Sequence, residues 1–305
     1  MISQEDIARV KGLGCLRDKT TKECFNVRVI TGNGKLGADK VRAIAEAAEL
    51  YGSGEVAFTT RLTAEIQRVP FDNLNELFLF LKKHDLESGG TGPRVRPVVS
   101  CKGTTCVFGL IDTYSLSEKI HKRFYQGYHS VSLPHKFKIA VGGCPNNCVK
   151  PDLNDLGVVG YKAPTLSPDK CKGCKSCSVS ISCPMKACKL YDGKATLDSA
   201  LCTGCGRCFG KCPFGAFDGY TQGYKVYIGG RWGKSASRGI PLKTVFETEE
   251  QVLSIVEKTI LLFKKHGVAG ERLAQTVERL GFDKVEKILL SDELLNEKSA
   301  ILGNA

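Results

Sequence analysis

Over residues 22–88 the apolar pattern switches between a period of two and a helical period, as expected of a compact α/β unit. Phe25–Ile30 alternates and predicts a strand. Ala38–Tyr51 places Val41, Ile44, Ala45 and Ala48 on one helical stripe, predicting a half-buried helix. Glu55–Thr60 and Glu65–Val69 read as two further strands. Asp72 or Asn73 can cap a helix that carries Leu74, Leu77, Phe78 and Leu81, with Lys82 and Lys83 in its last turn. Gly89-Gly90-Thr91-Gly92-Pro93 then marks a boundary.

Far downstream, Tyr224–Gly229 alternates again. Glu249–His266 forms an amphipathic helix through Val252, Ile255, Val256, Thr259, Ile260 and Phe263, with shorter helices expected near 271–280 and 283–296. Residues 165–220 follow neither period. They are dense in Cys, Gly and Cys-Pro, and read as an inserted module. No apolar run approaches membrane-spanning length, and residues 1–20 lack a basic-then-apolar leader pattern, so a soluble, cytoplasmic protein is expected, with no membrane partner.

The cysteines change the picture most. There are 15 in 305 residues, and in a long chain with C-x2-C runs they point to metal ligation in a reducing compartment. Cys171, Cys174 and Cys177 are followed by Cys183-Pro184; Cys202, Cys205 and Cys208 are followed by Cys212-Pro213. Three plus one, twice, with both prolines, is the layout of a two-cluster bacterial ferredoxin, in which each fourth cysteine serves the other cluster. The expected sets are Cys171, Cys174, Cys177 with Cys212, and Cys202, Cys205, Cys208 with Cys183. Cys188 competes for the place of Cys183. Zinc knuckles would instead take two pairs.

A separate set, Cys101, Cys106, Cys144 and Cys148, arrives as two pairs about forty residues apart and makes a third cubane, at a site distinct from the ferredoxin layout. Cys15, Cys24 and Cys188 are most simply unligated, and the five scattered histidines have no assigned role.

The formal charge is +12, but the basic residues are spread along the chain, which argues against nucleic acid. Twelve thiolates on three oxidised cubanes would contribute roughly −6. Gly32-Asn33-Gly34-Lys35-Leu36-Gly37 fits G-x-G-x-x-G after a strand. Glu55, however, begins the next strand rather than ending one, and too little sequence precedes Cys101 for a doubly wound sheet.

Gly142-Gly143-Cys144-Pro145-Asn146-Asn147-Cys148 resembles the sirohaem-and-cluster motif of the sulfite and nitrite reductases. Pro134-His135-Lys136-Phe137-Lys138 resembles that family's strand with two active-site lysines. Arg28 and Arg61 match its substrate arginines, and Ile228–Gly233, with Arg231, resembles a later cofactor-contacting turn. Four residues separate the first cysteine pair, where many members have five. The length and the inserted ferredoxin look most like the catalytic C subunit of anaerobic sulfite reductases.

The resemblance implies an α+β fold: a ferredoxin-like half domain over 1–90, a sirohaem and [4Fe-4S] domain over 91–164 and 222–305, and the inserted two-cluster ferredoxin over 165–221. It implies sirohaem and three [4Fe-4S] clusters, with Cys148 bridging cluster and sirohaem iron, and Asn146 and Arg231 near the cofactor. Arg28, Arg61, Lys136 and Lys138 would clamp sulfite, a strongly hydrated dianion that needs fixed cations to replace its water. Singly, such residues are ordinary surface or cross-strand charges; their joint occurrence with the cysteine pairs carries the reading. Six-electron reduction of sulfite to sulfide is implied, fed by a ferredoxin or a flavin/iron–sulfur reductase. A nitrite reductase giving ammonia and a non-catalytic electron-transfer subunit are the alternatives. One copy of the fold holding both residue sets implies a homodimer or higher oligomer, one subunit's basic residues completing its partner's pocket.

Overall fold

A computed structural model describes residues 2–303. The chain divides into two units. The first runs up to Ser100 and takes in Ser117–Ala140 and the described residues from Val256 on; the second holds Cys101–Leu116 and Val141–Ile255. In this division the C-terminal helices of the expected last segment, 222–305, go with the N-terminal unit.

In the first unit, α1 (Gln4–Gly12) is capped by Ser3, whose Oγ accepts from the Asp6 N–H at 3.0 Å. Strands β1 (Cys15–Arg17), β2 (Cys24–Val29), β3 (Val56–Phe58) and β4 (Ala64–Pro70) form an antiparallel sheet in the order β1-β2-β4-β3. Alternation along β2 sends Phe25, Val27 and Val29 into the core and leaves Arg28 on the other face, opposite Glu65 of β4.

Helices α2 (Ala38–Tyr51) and α3 (Leu74–Lys83) cover the core face. The buried stripe of α2 is Ala43, Ile44, Ala47 and Ala48, rotated from the expected one: Val41 and Ala45 are exposed. Adjacent pairs recurring every four residues put small side chains against the sheet, which brings the helix close. A 3-10 turn, Phe71–Asn73, leads into α3, and neither expected cap residue caps it by its side chain. Arg61, expected on a strand, lies instead in the β3–β4 turn, which is closed by the Leu62 N–H to Thr59 O bond at 3.0 Å.

The same unit contains a π-helical turn, His121–Gln126, and the helices Leu273–Leu280, Phe282–Leu290, Glu293–Asn296 and Lys298–Leu302. The single helix expected over 283–296 is broken at Ser291. Buried Glu257 accepts from Arg123, Tyr128 and Lys298 at 2.8, 2.5 and 2.6 Å, so its charge is fully partnered.

In the second unit, Leu156–Thr165 and Gly219–Ile228 pair antiparallel from Gly219↔Thr165 to Ile228↔Leu156, and Ile240–Phe246 pairs on the other side of Gly219–Ile228. Residues 166–218 therefore leave and return at paired strand ends, where an excursion costs little extra closure entropy. That excursion has its own small core of Cys171, Val179, Cys188, Ala195, Ala216 and Phe217, with Cys177, Cys183, Cys208 and Cys212 packed against it. A core this small needs staples, and six of the residues clustered in it are cysteines. Among the described residues no helix is long and apolar enough to cross a membrane.

Candidate functional site

The cysteine loops lie in the second unit. The Cys101 N–H donates to Val141 O at 3.1 Å, and Thr113 Oγ1 donates to Cys101 O at 2.7 Å, fixing the start of the loop before its 3-10 turn at Gly103–Thr105. Gly143 donates its N–H to Cys101 Sγ at 3.1 Å. This contact needs close backbone approach: a Cβ on Gly143 would stand 2.8 Å from Gly103 Cα. Burial, and after it the neighbouring Cys101, Cys148 and Cys106 thiols, push the Cys144 thiol above its ordinary range. The four residues expected from spacing thus share one neighbourhood.

After Cys144 the chain turns through Asn147 and Lys150, both with positive φ. Asn147 donates to Asp152 at 2.7 Å, and Asp152 also pairs with Arg238. The Gly239 N–H donates to Asp152 O at 2.7 Å, which ties the Arg231–Ser237 hairpin to the loop that follows Cys148. Arg231 is half-buried at this hairpin; Asn146 and Cys148 are exposed.

In the inserted segment, Cys202, Cys205 and Cys183 all bear on the Cys208 thiol, which burial chiefly pushes up to about 11. Cys188 is buried, hydrogen-bonded with Cys177, and near Cys183 and Cys208. The Ala187 N–H donates to Cys183 Sγ at 3.3 Å and the Ala195 N–H to Cys171 Sγ at 3.4 Å. Among the described residues no group of three His, Cys, Asp or Glu stands at the spacing of a single metal ion. Thiols gathered in fours, with backbone N–H groups aimed at sulfur, have the donor chemistry an iron–sulfur cluster uses.

The basic residues lie in the first unit. Arg28 Nη2 pairs with Glu65 at 3.3 Å and Nη1 donates to Gly90 O at 3.3 Å, but its buried Nε has no partner. Arg96 donates to the same Gly90 carbonyl and likewise keeps a buried, unpartnered Nε. Burial and then the adjacent Arg28 push Arg96 down to about 10. An unmet buried donor costs about 1–3 kcal/mol, and two side by side suit an anion.

Arg61 gives its Nη2 to Pro97 O at 2.7 Å and Ile139 O at 3.2 Å, so part of its donor set holds backbone. Lys136 and Lys138 flank buried Phe137 and are half-buried, in extended chain just before the strand Ile139–Gly142 rather than on it. Phe137 bridges Val95, and its carbonyl accepts the Arg96 N–H at 2.8 Å, which brings the lysine segment alongside Arg96. Arg96 is the residue that reading the sequence missed. It has no motif of its own, and its place is visible only once the 95–97 and 137 segments pair.

Residues 91–298 match the family described as nitrite and sulphite reductase 4Fe-4S domain, and residues 17–84 match the nitrite/sulfite reductase ferredoxin-like half domain. The chain belongs to the nitrite and sulphite reductase family. Membership implies an α+β half domain joined to a 4Fe-4S domain, with sirohaem and a [4Fe-4S] cluster as the family's cofactors.

The coenzyme F420-dependent sulfite reductase of Methanocaldococcus jannaschii is 30% identical over 81% of this chain, which spans 39% of that relative's length. The C subunit of the anaerobic sulfite reductase of Salmonella typhimurium is 27% identical over 88% of this chain and 84% of its own. The crystal structure of dissimilatory sulfite reductase I shares the fold, with a TM-score of 0.70, 21% identity, and coverage of 92% of this chain and 71% of that one.

Proposed function

We propose that this family member is a sulfite reductase or its catalytic subunit, carrying out the six-electron reduction of sulfite to sulfide. The observation that carries the reading is the pair of half-buried arginines, Arg28 and Arg96, each with a buried, unmet Nε–H, beside the Lys136–Lys138 segment. Sulfite and the carboxylates of a tetrapyrrole are anions of the kind such donors bind. The relatives named above as sulfite reductases favour sulfite over nitrite.

Cys101, Cys106, Cys144 and Cys148 would hold one [4Fe-4S] cluster, and Cys148, Asn146 and Arg231 would hold the sirohaem. Cys171, Cys174, Cys177 and Cys212 would hold a second, and Cys202, Cys205, Cys208 and Cys183 a third, in an inserted ferredoxin module over 165–221. Bound there, these groups would supply electrons and a Lewis-acid iron for sulfur.

The protein's own part is positional. Arg28, Arg61 and Arg96 replace the water lost by the dianion and favour charge that grows on its oxygens. Lys136 and Lys138 can pass protons to departing oxygens. The Gly143 N–H to Cys101 Sγ bond steadies one ligand of the thiol set.

In a homodimer or higher oligomer, one subunit's basic residues would complete its partner's pocket; what supports this is that one copy of the fold carries both residue sets. Electrons would come from a donor protein. An absorption spectrum of anaerobically purified protein, with iron and acid-labile sulfide counts, tests the whole. Isobacteriochlorin bands beyond the broad iron–sulfur absorption, with sulfite turnover, are expected. Fully metallated protein without those bands, even after sirohaem is supplied, would overturn it.

A further inference from the structure

The two cysteine runs of the inserted segment face different surroundings. The second is closed over by its own chain: Lys162 donates its N–H to Gly204 O at 2.8 Å, the Tyr161 ring lies on Gly204, and Arg207 sits 4.7 Å above the Phe108 ring. The first is open. Cys174 is exposed, as are Lys172, Lys175, Lys186 and Lys189.

Between residues 170 and 194 there are six lysines and a single acid, Asp192. One oxidised cubane would remove only about two of those charges. The C-terminal lysines behave otherwise: Lys258, Lys265 and Lys298 are each paired with a carboxylate. Among the open lysines stand exposed Ile181, Met185, Leu190 and Tyr191. A small, wet contact of scattered apolar groups inside a charged field is how transient electron-transfer partners meet, with the charge setting approach and register.

We propose that the 170–194 face is the docking surface for an acidic protein electron carrier of the small ferredoxin type. This rests on reading 165–221 as a ferredoxin module. A negatively charged carrier would be steered to the exposed Cys174 and seated on the Ile181–Tyr191 apolar spots.

The test titrates a purified acidic [4Fe-4S] ferredoxin into the full-length, cluster-loaded chain by calorimetry at several salt concentrations. Affinity should fall steeply with salt. K172E/K175E/K189E should weaken it about tenfold or more and flatten the salt dependence, K172Q/K175Q/K189Q should lie between, and K284E/K287E on the helix Phe282–Leu290 should leave it within about twofold. Iron and sulfide counts confirm that each variant keeps its clusters.

Unchanged affinity in the glutamate variant, binding indifferent to salt, or equal loss in K284E/K287E would overturn the proposal. So would heparin binding as tightly with the same loss, which would make the face a general polyanion surface. Carrier binding by a chain without tetrapyrrole bands would sink the reductase reading alone; those bands without carrier binding would sink the docking surface alone.

Discussion

Cys171–Cys177 and Cys202–Cys208 have one spacing and two settings. Their loops share a backbone, with Gly173 and Gly204 at φ +69 and +67. The residues between the thiols differ: Lys172 and Lys175 in the first run correspond to Thr203 and Gly206 in the second. Lysines turn the first loop toward water. Gly206 instead lets the second loop lie against Leu110 and Lys162, where a Cβ would stand 3.3 and 3.5 Å away. Ligand spacing sets the shape of a loop, and the intervening side chains set what it faces.

The largest effect should come from cutting the link between the runs. If Cys183, from the first run's Cys-Pro, serves the second run's cluster, Cys183→Ser should lower iron by about four per chain, while Cys188→Ser should leave the count whole. The opposite pattern would make Cys188 the ligand in the place of Cys183.

A smaller effect tests the closed face. At Gly204 a Cβ would meet the Tyr161 ring at 2.2 Å, in a backbone conformation that disfavours any side chain. Gly204→Ala should destabilise the contact by about 1–3 kcal/mol, read as faster hydrogen exchange at the Lys162 amide. Tyr161→Ala should relieve much of that loss in the double variant. If the double variant exchanges as fast as the two single losses added together, the ring is not what closes this run.

Much of this was legible in the sequence, and unevenly so. The Ala38–Tyr51 and Glu249–His266 helices match their expected spans because a long periodic run with clear ends leaves few alternatives. The grouping of Cys101, Cys106 and Cys148 around Cys144 was readable because the cysteines come as two short pairs, each held within one tight loop. The buried face of α2 was not, since alanines register weakly in any periodic pattern and its side is chosen by what packs on it. Arg96 was invisible for a related reason: its partners, Gly90 O and Phe137 O, are backbone atoms brought there by pairing of distant segments. The sharing of the C-terminal helices with the first unit likewise depends on contacts such as Glu257 with Arg123 and Tyr128, over a hundred residues apart in sequence.

The smallest expected effect bears on what the difference between the runs is worth at its edge. Arg207 occupies the position of Ser176 in the first run and lies over Phe108, both residues being exposed. An exposed cation–π contact contributes about 0.5–1 kcal/mol. Arg207→Ala should therefore speed exchange at the Lys162 amide only severalfold, well short of Gly204→Ala. Phe108→Leu should do about as much, and the two together no more than either, because each removes the same contact. Independent, additive losses would show that Arg207 holds the loop through its aliphatic stem or another neighbour, and that backbone closure at Gly204, rather than the side chains around it, separates the two runs.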